Sequence, residues 1–197
     1  MKRFLCIALS ALLLLALTLS SPAEEAIETV VTIVRTPEQD HAERPPCFPD
    51  PADQFIPLPE TENYALNKPA SAANHADVYV IKNVNDGKTD TYWESKGFPA
   101  EVVIDLQGSF QVSTVAVCLN PSSIWEPRIQ EIAVQLSLDG ETYAEAAQAA
   151  DYQFSADTGN RIRIDFTPAE AAVVKVIFLK NSSSRTMGAQ AAEIGVY

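Results

Sequence analysis

Oxygen-bearing side chains are concentrated in one short stretch, residues 83–93, with the sequence NVNDGKTDTYW. Asp86, Asp90 and Thr91 lie close together in it, and carboxylate and hydroxyl oxygens at such spacing are the ligands that a hard cation such as calcium needs. The dipeptide Asp86-Gly87 is also a strong β-turn signal in its own right. The stretch therefore has two interpretations, a plain turn and a cation-binding loop.

Short β-strand patterns surround this stretch and must position it. The clearest are rich in β-branched and apolar residues with turn residues between them, at 101–106, 112–119, 129–138, 161–166 and 172–179. Many short strands without a long amphipathic helix are typical of an all-β sandwich or barrel. The sequence therefore predicts one all-β domain over residues 63–197, a length that suits such a domain.

Local patterns make this prediction more specific. Residues 161–166, RIRIDF, alternate strictly between charged and apolar residues, so the two isoleucines and the phenylalanine should share one buried face. Asp139-Gly140 stands between two strand patterns and predicts a hairpin. The one helix-like stretch is brief, at residues 144–150.

Residues 1–23 have the features of a secretory signal peptide. Lys2 and Arg3 precede a nearly unbroken apolar run, and residues 21–23, SPA, supply small residues for a cleavage point. The apolar run is short for a membrane span. We therefore expect cleavage and secretion, with a retained membrane anchor as the alternative.

An acidic, Pro-rich extension follows at residues 24–62. Prolines at this density are incompatible with helix and central strand, so an extended linker is predicted. Cys47 in the extension and Cys118 in the domain are the cysteines outside the signal segment. In an oxidising compartment they could form a disulfide; the alternative is a linker thiol and a small buried strand residue.

The charge balance excludes some partners. The net charge is −12, with 26 acidic residues against 14 basic ones. Such a surface repels phosphates, which argues against nucleic acid and against docking through a basic patch on anionic lipids. The sequence has two histidines, no recognisable nucleophile motif and no carboxylate pair that can be placed across a cleft, so a non-catalytic protein is predicted.

Residues 63–197 resemble the discoidin domain, also called the coagulation factor 5/8 type C domain, and the galactose-binding-like family 32 carbohydrate-binding modules. Five motifs in the family's order carry the resemblance: 63–72 (NYALNKPASA), 83–93, 104–106 (IDL), 137–143 (SLDGETY) and 192–197 (AEIGVY). Glu101 departs from the pattern, since a tryptophan usually begins that strand. The resemblance implies a jelly-roll β-sandwich.

The resemblance also implies a structural calcium ion. Its side-chain ligands would be Asp86, Thr91 and Glu193. Main-chain carbonyls near Asn83, at Lys88, at Thr91 and at Ala192 would complete a shell of oxygens. Trp93 would be a core residue beneath the loop. The ion would then connect the 83–93 stretch to the last strand and order the loop.

A carbohydrate site is expected on the loops at one end of the sandwich. Trp125 lies in a loop rich in Ser and Pro and is a candidate platform for stacking on a sugar ring, with a loop aromatic capping the core as the alternative. Arg128 offers a fork of donors and Glu94 an acceptor for vicinal hydroxyls, although Arg128 could instead pair with a nearby carboxylate. His75 is a further candidate, with a solvated loop residue as the alternative. The histidine, arginine and asparagine set of galactose-binding members is not found.

These observations predict a secreted or cell-surface, monomeric carbohydrate-binding or adhesion module, with a polysaccharide, such as a glucan, or a glycoconjugate as its ligand. The alternative is a discoidin-type module that binds a protein or a phospholipid in a cell-surface interaction. Because fold does not determine function, the ligand rests on the resemblance.

Overall fold

A computed structural model describes residues 55–197. The predicted signal peptide at 1–23, most of the predicted extension at 24–62 and Cys47 lie outside the described residues. Within residues 55–197 no helix is long and apolar enough to cross a membrane.

Strands dominate this part of the chain. They are β1 Ala70–Ser71, β2 Trp93–Glu94, β3 Ala100–Cys118, β4 Arg128–Ser137, β5 Ala144–Phe154, β6 Arg161–Asn181, β7 Gln190–Ala191 and β8 Glu193–Val196. Two short 3-10 helices lie at Ile81–Val84 and Ala156–Thr158. The predicted all-β class is therefore confirmed.

Two long strands organise the sheets. The larger sheet has the order β1-β3-β6-β4-β5, with β8 paired to β3, while β2 and β7 form a separate two-stranded sheet. The first part of β3 pairs with the last part of β6, and the last part of β3 pairs with the first part of β6 and with β8. Register shifts between Asp105 and Phe110 and between Val112 and Thr114 interrupt β3. Because bulges bend a strand, β3 and β6 can each contribute to two layers.

The core lies between these layers. Its largest fully buried side chains include Trp93, Phe154 and Phe178. The rings of Trp93 and Phe178 have centroids 5.9 Å apart. Trp93 is 0% exposed, which confirms its prediction as a core residue. The alternation at 161–166 is also confirmed, since both isoleucines are buried and the phenylalanine packs against the core.

The helix-like interpretation of residues 144–150 is wrong. These residues begin β5, which pairs with β4 along its length: Ala144 is opposite Leu136 at one end and Phe154 is opposite Arg128 at the other. Alanine favours helix locally, but pairing with a neighbouring strand overrides such a preference. The predicted hairpin is confirmed: Gly140, with a φ of 76°, lies in the turn between β4 and β5.

The end of the predicted extension lies against the β domain. The Phe55 ring centroid is 5.0 Å from Cζ of Arg161, and the Ile56 N–H donates to the Thr158 carbonyl at 3.4 Å. Contacts with the domain therefore already exist at residue 55, before the predicted boundary at 63. Cys118 is buried in β3 with 6% exposure, while its predicted partner Cys47 lies outside the described residues.

Candidate functional site

The 83–93 loop is fixed to the domain at its start. The Asn85 side-chain nitrogen is buried and donates to the carbonyls of Ala65, at 2.6 Å, and Lys68, at 2.9 Å. Gly87 follows with a φ of 77°, in the left-handed region that favours glycine. A glycine is needed there because the chain turns back sharply between two carboxylate-bearing segments.

The structure brings Asp86, Thr91 and Glu193 together. Oγ1 of Thr91 donates to Oδ2 of Asp86 at 2.9 Å, and the Gly87 N–H donates to Oε2 of Glu193 at 3.0 Å. Oε1 of Glu193 is buried and has no hydrogen-bond partner among the described residues. Burial, and then the charge of Asp86, raise the pKa of Glu193 to about 8. A cation between the two carboxylates would relieve both effects.

The remaining predicted metal residues belong to the same loop or, in the case of Ala192, directly precede Glu193. The Lys88 N–H donates to Oδ1 of Asp86 at 3.0 Å, Nδ2 of Asn83 donates to the Tyr92 carbonyl at 2.9 Å, and the Ala192 N–H donates to the Cys118 carbonyl at 2.8 Å. Residues 55–197 contain no group of three or more His, Cys, Asp or Glu side chains that would suit a metal. A cation here would therefore need main-chain carbonyls, as the predicted ligand set has. The chemistry of the residues present fits calcium.

A second feature is a cleft formed by aromatic residues from three parts of the chain. The rings of Tyr79 and Tyr92 stack with centroids 4.2 Å apart, and Trp125 meets Tyr92 edge-on at 4.9 Å. Burial raises the pKa of Tyr92. The cleft has a volume of about 370 Å³. We call it the aromatic cleft; its lining is Tyr79, Tyr92, Glu94, Ile124, Trp125, Arg128, Arg185 and Gln190.

Polar side chains are held in fixed positions beside these rings. Oε1 of Glu94 accepts a hydrogen bond from Oγ1 of Thr186 at 2.7 Å, and Oε2 accepts from Nε2 of Gln190 at 2.8 Å. Nη1 of Arg128 donates to Oε1 of Gln190, and its Nε donates to the Glu126 carbonyl at 3.0 Å. Burial lowers the pKa of Arg128. Glu94 therefore keeps a fixed orientation in the cleft. Arg128 contributes to this indirectly, because it donates to the Gln190 side chain that in turn donates to Glu94.

Three of the four predicted ligand-binding residues, Trp125, Arg128 and Glu94, line this cleft. Trp125 is half-buried and also packs against the core, so both of its interpretations apply in part. Arg128 is only 4% exposed and bonds to neutral groups. His75 lies elsewhere: it is exposed, with Nδ1 3.0 Å from the Asp77 carbonyl, and does not line the cleft.

Sequence reasoning missed Tyr79, Tyr92 and Gln190 as lining residues. Tyr92 had a usable signal, since alternation along a strand places it on the same side as Glu94 and opposite the buried Trp93. Gln190 had none, because it meets Glu94 only through the pairing of β2 with β7.

Another groove, of about 600 Å³, lies at the opposite end of β4, against the β4–β5 hairpin and β6. Its lining includes Leu136, Leu138 and Tyr143, and Asp139 on its rim is already used as an acceptor within the turn. None of the predicted site residues lines it. The aromatic cleft, where aromatic and oriented polar groups converge, is the stronger candidate for a binding site.

Comparison with known proteins agrees with the fold. Residues 83–176 match the sequence model of a family described as the F5/8 type C, NedA-like, galactose-binding domain. No curated protein matches the chain significantly.

Three similar solved structures illustrate the likeness. The family 32 carbohydrate-binding module of AlyQ, in complex with 4,5-unsaturated mannuronic acid, is 22% identical, with a TM-score of 0.55 over 66% of this chain and 93% of that chain. A family 32 module from Clostridium perfringens, in complex with GalNAc-β-1,3-galactose, is 21% identical, with a TM-score of 0.56 over 66% and 95%. Chitosan-binding module 1 of a chitosanase/glucanase from Paenibacillus sp. IK-5 is 24% identical, with a TM-score of 0.55 over 70% and 99%. At these identities the likeness shows the fold. The predicted resemblance to the discoidin, or F5/8 type C, domain and to family 32 carbohydrate-binding modules is therefore confirmed.

Proposed function

We propose that this protein is a non-catalytic carbohydrate-binding module that is secreted or held at a cell surface. The observation that carries the proposal is the aromatic cleft, where Trp125 and Tyr92 meet edge-on beside the fixed carboxylate of Glu94. Aromatic rings bury the apolar face of a sugar, and oriented polar groups select its hydroxyls. The solved modules of the same fold that are described as carbohydrate-binding support this choice.

The polar groups of the cleft suit binding better than cleavage. Hydrolysis of a glycosidic bond generally uses two carboxylates that flank the bond. Glu94 is the carboxylate in the lining of the aromatic cleft as described, and both of its oxygens accept hydrogen bonds from neighbouring side chains. Glu94 is therefore better suited to accept a hydrogen bond from a sugar hydroxyl than to act as an acid catalyst.

Retention on insoluble polysaccharides and a glycan array test the proposal. Wild-type protein should be retained by at least one glycan, and Trp125→Ala should lose retention by a factor of about ten or more, since an aromatic contact contributes about 0.5–1.5 kcal/mol beyond its area burial. Tyr143→Ala is the matched control, because Tyr143 lies in the groove at the opposite end of β4. Equal loss in both variants, or no glycan bound by the wild type, contradicts the proposal.

Calcium is the second part of the proposal. We infer that Asp86, Thr91 and Glu193, together with main-chain carbonyls near Asn83 and at Lys88, Thr91 and Ala192, hold a structural calcium ion. The unpartnered, buried Oε1 of Glu193 beside Asp86 supports it. When bound, the ion would neutralise the two carboxylates and fix the 83–93 loop to β8.

Thermal unfolding with calcium and with chelator tests this part. The melting temperature should rise with calcium, because an ion that binds only the folded state stabilises it. Glu193→Gln should abolish the rise, while Asp90→Asn, at an exposed position in the same loop, should keep it. A melting temperature that is identical with calcium and with chelator contradicts a calcium site.

One observation favours the alternative, a phospholipid- or protein-binding module. Val78, Ile124 and Met187 are 68%, 74% and 87% exposed. Ile124 lines the aromatic cleft, Val78 precedes the lining residue Tyr79, and Met187 lies two residues after the lining residue Arg185. Exposed apolar residues close together mark interaction surfaces. Co-sedimentation with phosphatidylcholine and phosphatidylserine vesicles distinguishes the two functions. If the wild type binds vesicles, Ile124→Asp does not, and no glycan retains the protein, the phospholipid-binding function replaces the carbohydrate-binding one.

Secretion through residues 1–23 remains a prediction. N-terminal sequencing of the protein from culture medium and membrane fractions tests it. A mature chain beginning near Glu24 supports secretion, and an intact first segment in the membrane fraction supports the anchor.

A further inference from the structure

A second cavity borders the aromatic cleft. It has a volume of about 380 Å³ and shares two residues, Glu94 and Arg185, with the aromatic cleft, whose volume is about 370 Å³. We call it the second cleft; Lys96, Ser184, Thr186 and Met187 complete most of its lining. The two cavities are therefore neighbours on either side of one pair of charged residues.

Of the two residues that both cavities share, Glu94 is held by hydrogen bonds from both sides and Arg185 is exposed. Glu94 accepts one hydrogen bond from Thr186, in the lining of the second cleft, and one from Gln190, in the lining of the aromatic cleft. The Arg185 side chain is 72% exposed and lies 3.6 Å from Oε2 of Glu126. Such an exposed pair contributes little, so the guanidinium remains accessible to a ligand.

The second cleft differs from the aromatic cleft in its chemistry. It has no aromatic lining residue among those described, but it has the exposed ammonium of Lys96 in addition to Arg185. Glu94 is the one carboxylate in this lining, and both of its oxygens already accept hydrogen bonds, which leaves two cations, Lys96 and Arg185, for a ligand. Their local charge favours a carboxylate over a neutral hydroxyl, because an ionised partner makes a hydrogen bond stronger.

We propose that the second cleft is a subsite for the next sugar unit of a linear glycan, and that it prefers a unit that carries a carboxylate, such as a uronic acid. Lys96 and Arg185 bind the carboxylate, while the preceding unit stacks in the aromatic cleft. The substrate class is then an acidic oligosaccharide of at least two units, rather than a single terminal sugar. This inference rests on the proposed carbohydrate-binding function.

A glycan array with one-, two- and three-unit members of neutral hexose and hexuronic acid series tests the subsite. Affinity should rise about tenfold from one to two units in the uronic acid series, which is the scale of one charge-assisted hydrogen bond. Lys96→Gln should reduce that rise, since only Arg185 then remains to bind the carboxylate, and should leave the affinity for single units in the aromatic cleft unchanged. Lys82→Gln, an exposed lysine outside both clefts, should keep it. Unchanged melting temperatures show that both variants fold.

The outcomes separate this inference from the proposed function. Binding that is lost in Trp125→Ala but does not depend on chain length overturns the second subsite and leaves the module intact. A length dependence that is equal for neutral and uronic acid series, or that is as large in Lys96→Gln as in the wild type, also overturns the assignment. No binding to any glycan by the wild type overturns both.

Discussion

Arg128 and Glu94 are joined through the side chain of Gln190. The amide oxygen of Gln190 accepts from Nη1 of Arg128, and its amide nitrogen donates to Oε2 of Glu94 at 2.8 Å. The Cζ of Arg128 also lies 5.0 Å from the Trp125 ring centroid. One buried guanidinium thus positions both the acceptor and the aromatic ring of the aromatic cleft.

The first prediction concerns this guanidinium. Arg128→Lys should lower the free energy of unfolding by about 1–3 kcal/mol, because lysine cannot reproduce the fork and leaves buried acceptors unpaired. It should also weaken glycan retention by disturbing Glu94 and Trp125. Urea denaturation measures the first effect. The reverse exchange Lys180→Arg, at a residue with a 73% exposed side chain, should change stability by less than about 0.5 kcal/mol. Unchanged unfolding of Arg128→Lys would mean that the buried network contributes nothing.

Gly188 allows a close approach of two backbones. A Cβ atom at this position would lie 1.8 Å from the Ser95 carbonyl oxygen. Gly188→Ala should therefore push the 182–189 loop away from β2 and destabilise the fold by roughly 3 kcal/mol, the upper end for overpacking.

Gly97 provides the matched control for this variant. A Cβ there meets nothing within 4 Å, so Gly97→Ala should be neutral or slightly stabilising. Equal urea midpoints for the two alanine variants would refute the close approach.

The hairpin at Asp139 predicts a dependence of stability on pH. The N–H groups of Thr142 and Glu141 and the Ser137 hydroxyl donate to Oδ1 of Asp139 and lower the pKa of that carboxyl to about 2. Because the unfolded pKa is higher, about 3.9, the stabilisation is fully present above that value and is lost as the pH falls toward 2.

Asp139→Asn tests this dependence, because subtracting its unfolding free energy from that of the wild type isolates the contribution of the carboxyl group. The excess unfolding free energy of the wild type over the variant should be constant near pH 6 and should shrink between about pH 4 and pH 2. Ser137→Ala, which removes one donor but keeps the carboxylate, should retain a weaker dependence. A pH-independent difference between wild type and Asp139→Asn would show that the turn does not hold the ionised form.

Local patterns predicted much of the fold. The alternation at 161–166 and the Asp-Gly hairpin are consequences of strand periodicity and turn chemistry, while the buried position of Trp93 was implied by the family resemblance. The strand at β5 could not be predicted in this way, because its alanines have no strand preference of their own and are ordered by pairing with β4.

The candidate site was only partly predictable for the same reason. Glu94 and Trp125 stand out by residue type, but Tyr79 and Gln190 reach the aromatic cleft through contacts between distant parts of the chain. The sequence also suggested that Arg128 offers its donors to a ligand. In the structure Arg128 is buried, its Nε donates to the Glu126 carbonyl and its Nη1 donates to the Gln190 side chain.

The central claim is that a sugar binds against Trp125. The chain has two tryptophans, Trp125 in the aromatic cleft and Trp93 with 0% exposure in the core, so the two indole N–H resonances in an NMR spectrum form a built-in comparison. On titration with a glycan that retains the protein, the Trp125 resonance should shift saturably while that of Trp93 stays in place. Saturable binding of that glycan with no shift at Trp125 would contradict the claim.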